Sequence, residues 1–241
     1  QPALALTDHG NMSGAIELYR ATKRAGIAAF PGIEAYVTAT LDKDEPRYHT
    51  GLLALDYGGY KALVALSTMS HAVDGHFYRK PRISWDELLD FGRAYGQHVA
   101  LTTGCYFSSV VQALVNDGVI EATRLLHELA QAFPNLYVEL QMHNTVHPSG
   151  QTDWDLSTVL FEIAQRYGFP VIIGQDSHYC ERNDKPAHEM MKRLGYHTSD
   201  ENEILFPGNS YHLATTSWMQ RQYAGLRGAW NEAELSFQDL L

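Results

Sequence analysis

Short apolar runs recur along this chain, at Ala3 to Leu6, Ile27 to Val37, Thr50 to Leu55, Val99 to Thr102, Leu136 to Leu140 and Val171 to Gly174. Segments of helical period separate them. They open near Asn11, at the Gly58-Gly59 pair, at the capping box Ser84-Trp85-Asp86-Glu87, at Ser109, at Ile120 and at Leu156. Strand followed by helix, repeated, favours a mostly parallel sheet with helices outside it. The second run is expected to be interrupted at Pro31-Gly32. After Gly195 the pattern loosens into a connector across Thr198 to Tyr211, with a short helix around Trp218.

Two of the runs end in acidic and histidine signatures, Thr7-Asp8-His9-Gly10 and Gln175-Asp176-Ser177-His178. In α/β barrels, polar residues just past the C-terminal ends of strands build the active site. Glu34, His49 and Cys105 also fall at or near strand ends, so imidazoles, carboxylates and one thiol come from separate strand-helix units. Such a mixture suits zinc or manganese, and a cation offsets the repulsion of converging carboxylates. Asp8 either caps the following helix or orients His9 from behind, and the second role is the one expected. His143, past the Leu136 to Leu140 run, is a possible phosphate contact. His71, His76, His98, His127, His188, His197 and His212 are read as surface or packing residues.

With 45% hydrophobic and 19% charged residues over 241, the chain has the composition of a folded soluble domain. No stretch approaches the roughly 18 apolar residues of a membrane span, and no signal peptide is expected. Two cysteines, Cys105 and Cys180, are too few for a disulfide framework and suggest a reducing, cytoplasmic setting. A net charge of -10 argues against tight, sequence-independent nucleic-acid binding, although bound metal ions could reverse that locally. Arg79-Lys80-Pro81-Arg82 is a basic exception that could touch DNA or a neighbouring domain, although a solvated loop is the simpler reading. Gln1-Pro2 leads directly into a strand, as expected of a chain that starts inside a longer one.

The order of these residues resembles the PHP (polymerase and histidinol phosphatase) family, in the form found in alpha subunits of bacterial DNA polymerase III. The matching text is Ala5-Leu6-Thr7-Asp8-His9-Gly10-Asn11, Pro31-Gly32-Ile33-Glu34, Tyr48-His49, Thr102-Thr103-Gly104-Cys105, Leu140-Gln141-Met142-His143 and Asp176-Ser177-His178-Tyr179. Gly59-Tyr60-Lys61-Ala62-Leu63 and Lys80-Pro81-Arg82-Ile83 look like the same family, and Phe206 to Met219 looks like its linker into the polymerase palm.

The resemblance implies a distorted (β/α)7 TIM-like barrel with up to three divalent ions. Residues 1–195 would form the phosphoesterase domain and 196–241 the linker. Glu34, His49 and Cys105 would surround one ion, Glu34 and Asp176 would belong to a second, and His9 and His178 to a third. Glu34 and Asp176 would carry catalysis. The family's first strand carries a His-x-His pair, and this chain has none, so the expected barrel lacks that strand. Gly104-Cys105-Tyr106-Phe107-Ser108 departs from the Ser-Gly-Glu-like sequence more usual after the cysteine. The implied function is a metal-dependent phosphoesterase of 3'-5' exonuclease type in replication and proofreading. Its implied partners are a DNA 3' end, the other polymerase domains and replisome subunits, with no membrane. A non-catalytic metal-binding module that supports the polymerase is one alternative, and a free-standing phosphatase of histidinol-phosphate type is another.

Overall fold

The apolar runs pair into one sheet. The computed structural model describes residues 2–196, 208, 210–226 and 228–240. Its strands are β1 (Ala3–His9), β2 (Ala28–Thr38), β3 (Tyr48–Ala54), the short β4 (Phe77–Tyr78), β5 (Lys80–Pro81) and β6 (Ile83–Ser84), then β7 (Val99–Thr102), β8 (Leu136–Leu140) and β9 (Val171–Ile173). The main sheet runs β1-β2-β3-β7-β8-β9, with β6 added to the end of β2, while β4 and β5 form a separate hairpin. Helices α1 (Ala15–Ala25), α2 (Tyr57–Ala72), α3 (Trp85–Tyr95), α4 (Ser109–Asn116), α5 (Val119–Ala132) and α6 (Asp153–Tyr167) fill the connections, followed by α7 (Lys185–Tyr196), α8 (Thr216–Gln222) and α9 (Ala229–Leu240).

The sheet is mixed where the alternation predicts mostly parallel pairing. Strand β3 runs antiparallel to both β2 and β7; β1 with β2, β7 with β8 and β8 with β9 are parallel. The reason is the β2 to β3 connection, residues 39–47, which holds no helix. A parallel return needs a long crossover, whereas a short loop suffices for an antiparallel one. Pro31-Gly32 does not interrupt β2 either. Pairing with β3 begins only at Gly32, so at Pro31 the strand has a ladder on one side alone. The whole is an α/β fold whose sheet curls into a half-barrel, in the manner of a partial TIM-like barrel.

Side-chain alternation gives the curled sheet two different faces. Ile33, Ala35, Val37, Leu52, Leu101, Val138 and Val171 point outward into the main core with Leu63, Leu88, Leu126 and Leu160 of the helices. The inner face is apolar at its floor, where Phe30, Leu53, Ala100, Tyr137 and Ile172 meet Leu240 of α9. Higher on that face stand Glu34, Tyr36, His49, Thr102 and Glu139, so polarity rises toward the C-terminal ends of the parallel strands.

Local signals explain most helix starts. Ser84 and Glu87 form the expected capping box of α3, and Thr152 and Asp155 form a second one at α6. Asn11 does not cap α1. Its Oδ1 accepts from the Ser13 amide, and the cap position belongs to Gly14. The expected connector across Thr198 to Tyr211, the start of the Phe206 to Met219 match and His197 lie largely outside the described residues. Downstream, Met219, Tyr223, Leu226 and Ala229 are buried in the main core, and the Tyr223 hydroxyl donates to the Leu140 carbonyl at 2.9 Å.

Candidate metal centre

Register brings the inner-face polar residues together. His9, the last residue of β1, pairs with Glu34 on β2, and the Gly10 amide donates to the Glu34 carbonyl at 2.8 Å. On the other side of β2, Tyr36 pairs with His49 and Glu34 pairs with Gly51. His49 is thus the diagonal neighbour of Glu34, a spacing that long side chains bridge. Cys105 arrives by a different route. Past β7, Gly104 adopts φ 83, and the loop then docks on the start of β3, where the His49 amide donates to the Phe107 carbonyl at 3.0 Å. Ser108 closes the loop by capping α4.

The result is a tight donor set. Glu34 Oε1 lies 3.1 Å from His49 Nδ1, Cys105 Sγ lies 3.4 Å from the same nitrogen, and His9 Nδ1 contacts Glu34 Oε2. One ligand atom from each of Glu34, His49 and Cys105 falls within a 4.8 Å span, a possible metal-binding group. The His9 ring is 5.9 Å from both the His49 ring and the His178 ring. Asp176, which delivers His178, has φ 46, a left-handed conformation that non-glycine residues adopt at some cost.

Electrostatics make the cluster a good fit for a cation. Burial pushes the Glu34 carboxyl up, but the imidazoles of His49 and His9 outweigh it and hold the group at about 2. Burial and then the Glu34 charge drive Asp176 up to about 6. The Cys105 thiol is raised by burial and by the same two carboxylates. His9 is raised by its hydrogen bond to Glu34, whereas burial lowers His178. Two carboxylates and a thiol crowded in one desolvated place repel one another as anions, and a divalent ion bound among them relieves this.

The remaining sequence candidates sit farther out. Asp8 Oδ2 accepts from the Gly14 amide at 2.7 Å, which ties it to the start of α1. His143 is buried and stacks on Tyr211 with ring centres 3.8 Å apart, and burial lowers it to about 4. Arg82 leaves the basic set altogether. It is 1% exposed, and its guanidinium donates to the carbonyls of His76, Asp42, Leu41 and Gly75, so it is neither a DNA contact nor part of a solvated loop. Two neighbours escaped sequence reading. Glu139 is a half-buried residue whose carboxyl is pushed up by desolvation and feels both Asp176 and Glu34. Lys192 of α7 acts electrostatically on His9, Asp176 and His178. The signal was the spacing of Lys185, His188 and Lys192 along one helical face.

A family model described as "PHP domain" matches residues 1–143. The chain belongs to the PHP domain family. The match takes in His9, Glu34, His49 and Cys105, so the donor set of this PHP domain lies wholly within it. Curated relatives include the DNA polymerase III subunit alpha of Thermus aquaticus, 31% identical over 91% of this chain and 18% of its own length. Those of Borreliella burgdorferi, 32% identical over 90% of this chain and 19% of its own length, and Aquifex aeolicus, 29% identical over 99% and 21%, are similar. The PHP chain therefore spans about a fifth of the length of the relatives it matches. Among the described residues, no helix is long and apolar enough to cross a membrane.

Proposed function

We propose that this PHP domain serves a bacterial replicative DNA polymerase as a metal-dependent phosphoesterase acting on a DNA 3' end, within the cytoplasm and beside the other polymerase and replisome components. The observation that carries this reading is the convergence of Glu34, His49 and Cys105 within 4.8 Å, with His9 and His178 alongside. In this reading residues 1–195 are the catalytic unit of a (β/α)7-type barrel, and 196–241 lead toward the polymerase palm.

Zinc or manganese bound there would supply Lewis acidity toward a phosphoryl oxygen and acidify a water molecule. Glu34 would present one oxygen on the His49 and Cys105 side and the other toward His9, so that it spans two ion positions. Asp176 would face the second and His178 the third. Held ionised by its imidazole partners, Glu34 supplies the negative charge that retains a cation, and Asp176, in its left-handed turn, lies close enough to feel that charge. His143, buried beneath the rim, would support the phosphate side of the site through Tyr211, and Asp8 would orient the turn that carries His9. The burial of Cys105, 9% exposed, favours a second reading, in which the ion is structural.

The test is metal analysis of the purified chain together with release of nucleotide from 3'-labelled single-stranded DNA in zinc or manganese. Metal with release supports the enzyme. Metal without release supports the structural module, and a chain that binds no metal refutes both.

A further inference from the structure

A polyanion is repelled by most of a chain with net charge -10. One surface beside the candidate metal centre is different. The β4–β5 hairpin pairs Phe77 with Pro81 and Tyr78 with Lys80, which leaves Arg79 alone at the turn. Its foot rests on the site: a Cβ on Gly10, the residue after His9, would come 2.6 Å from Pro81 Cγ and 3.2 Å from the Tyr36 ring. Lys80 Nζ stands 5.6 Å from the centre of that ring, and Tyr36 in turn lies 6.3 Å from the His9 ring and 5.2 Å from the His49 ring. Lys43 and Arg79 share the Tyr78 ring, each 5.5 Å from its centre. All three cations are exposed, and among the described residues none of them is in an ion pair.

The turn itself is an independent observation. Arg79 has φ 62, in the left-handed region, where an arginine costs about 1 kcal/mol more than a glycine. The chain thus holds a cation at a turn where the backbone alone favours glycine. Phe77, 54% exposed, and Tyr78 add ring surface next to the charges. Cations that follow a backbone, interleaved with rings on which bases can stack, are the means of sequence-tolerant single-strand binding.

We infer that the β4–β5 hairpin, through Lys43, Arg79 and Lys80, grips the phosphates of a single nucleic-acid strand and leads its end to the Glu34, His49 and Cys105 cluster. This rests on the phosphoesterase reading for the purpose of the grip, though not for its measurement. The strand's charge meets these three exposed cations, and its bases meet Phe77 and Tyr78.

The test is fluorescence anisotropy with an end-labelled oligo(dT) of about twelve nucleotides, in EDTA so that nothing is cleaved, across a salt series. The chain should bind with a salt slope that falls by about 0.7 for each phosphate contact removed. Lys43→Glu with Lys80→Glu should lower affinity about tenfold or more. Arg79→Gly should weaken binding while its melting temperature stays level or rises, an outcome that a purely structural arginine would not give. Unchanged affinity and slope in these variants overturn the inference. So does equal displacement by polyglutamate of similar length, which would mark the surface as a dock for acidic protein. Grip without nucleotide release would refute the phosphoesterase and leave the grip standing; release with undiminished binding by the variants would refute the grip alone.

Discussion

Gly174 and Glu139 occupy the same space in turn: a Cβ on Gly174 would lie 1.7 Å from Glu139 Oε1. Gly174 directly follows β9 and Glu139 stands beside it on β8, with Gln141 Nε2 donating to the same Oε1 at 2.8 Å. A half-buried carboxyl is therefore accommodated by the absence of a side chain just past the end of the next strand.

Gly174→Ala should destabilise the fold by about 1–3 kcal/mol, the usual cost of overpacking a dense interior. Glu139→Ala in that background should recover part of the loss. Urea denaturation of the two singles and the double measures the coupling, and simple additivity would show that the two positions do not compete.

Arg82 is a buried cation satisfied by backbone carbonyls, which joins residues 41–42 to 75–76. Arg82→Met leaves those oxygens without donors and should cost about 3 kcal/mol or more. Arg82→Lys should recover little, because an ammonium cannot reproduce the planar fork. Equal stability of the lysine variant and the parent in urea would refute this.

Glu34→Gln removes the charge that retains a cation at the site. Metal affinity should fall by at least the roughly 10–100-fold that loss of a mere supporting contact costs. Cys105→Ser should lower zinc affinity more than manganese affinity, since a thiolate is the softer donor. Calorimetric titration of both metals reads the ratio, and an unaltered ratio would remove Cys105 from the donor set.

Burial holds His143 near 4, below the ordinary imidazole value of about 6.5. Between those values the unfolded chain takes up a proton that the folded chain refuses. The contribution of this residue is thus complete above pH 6.5 and lost as pH falls toward 4, with a slope of at most about 1.4 kcal/mol per unit. His143→Phe keeps a ring against Tyr211 and should flatten that slope in denaturation at successive pH values. An unchanged slope would place the proton uptake elsewhere.

Strand positions, and the residues that converge at the candidate site, were legible because each apolar run leads directly into polar chemistry: His9 at the end of β1, Asp176 and His178 after β9. Direction was less so. A run such as Thr50 to Leu55 looks the same parallel or antiparallel, and only the helix-free connection of residues 39–47 decides it. Arg82 was read with Arg79 and Lys80 because adjacency in sequence suggested one patch, but the carbonyls of Leu41, Asp42, Gly75 and His76, which draw its guanidinium inside, come from segments distant in sequence. Glu139 carried no signal by type, and only the curl of the sheet brings it toward the cluster; Lys192 was marked by nothing but its spacing from Lys185 and His188 on α7.

His9 ends the strand at one edge of the sheet order and His178 follows the strand at the other, yet their rings are 5.9 Å apart. No ladder joins those two ends among the described strands, so sheet curvature alone sets the gap. An ion shared by both histidines would close the open side of the barrel as a clasp does. Its affinity would then gauge how tightly the sheet is rolled, and a mutation far from any ligand that flattened the roll would release the metal while leaving every donor on its own strand.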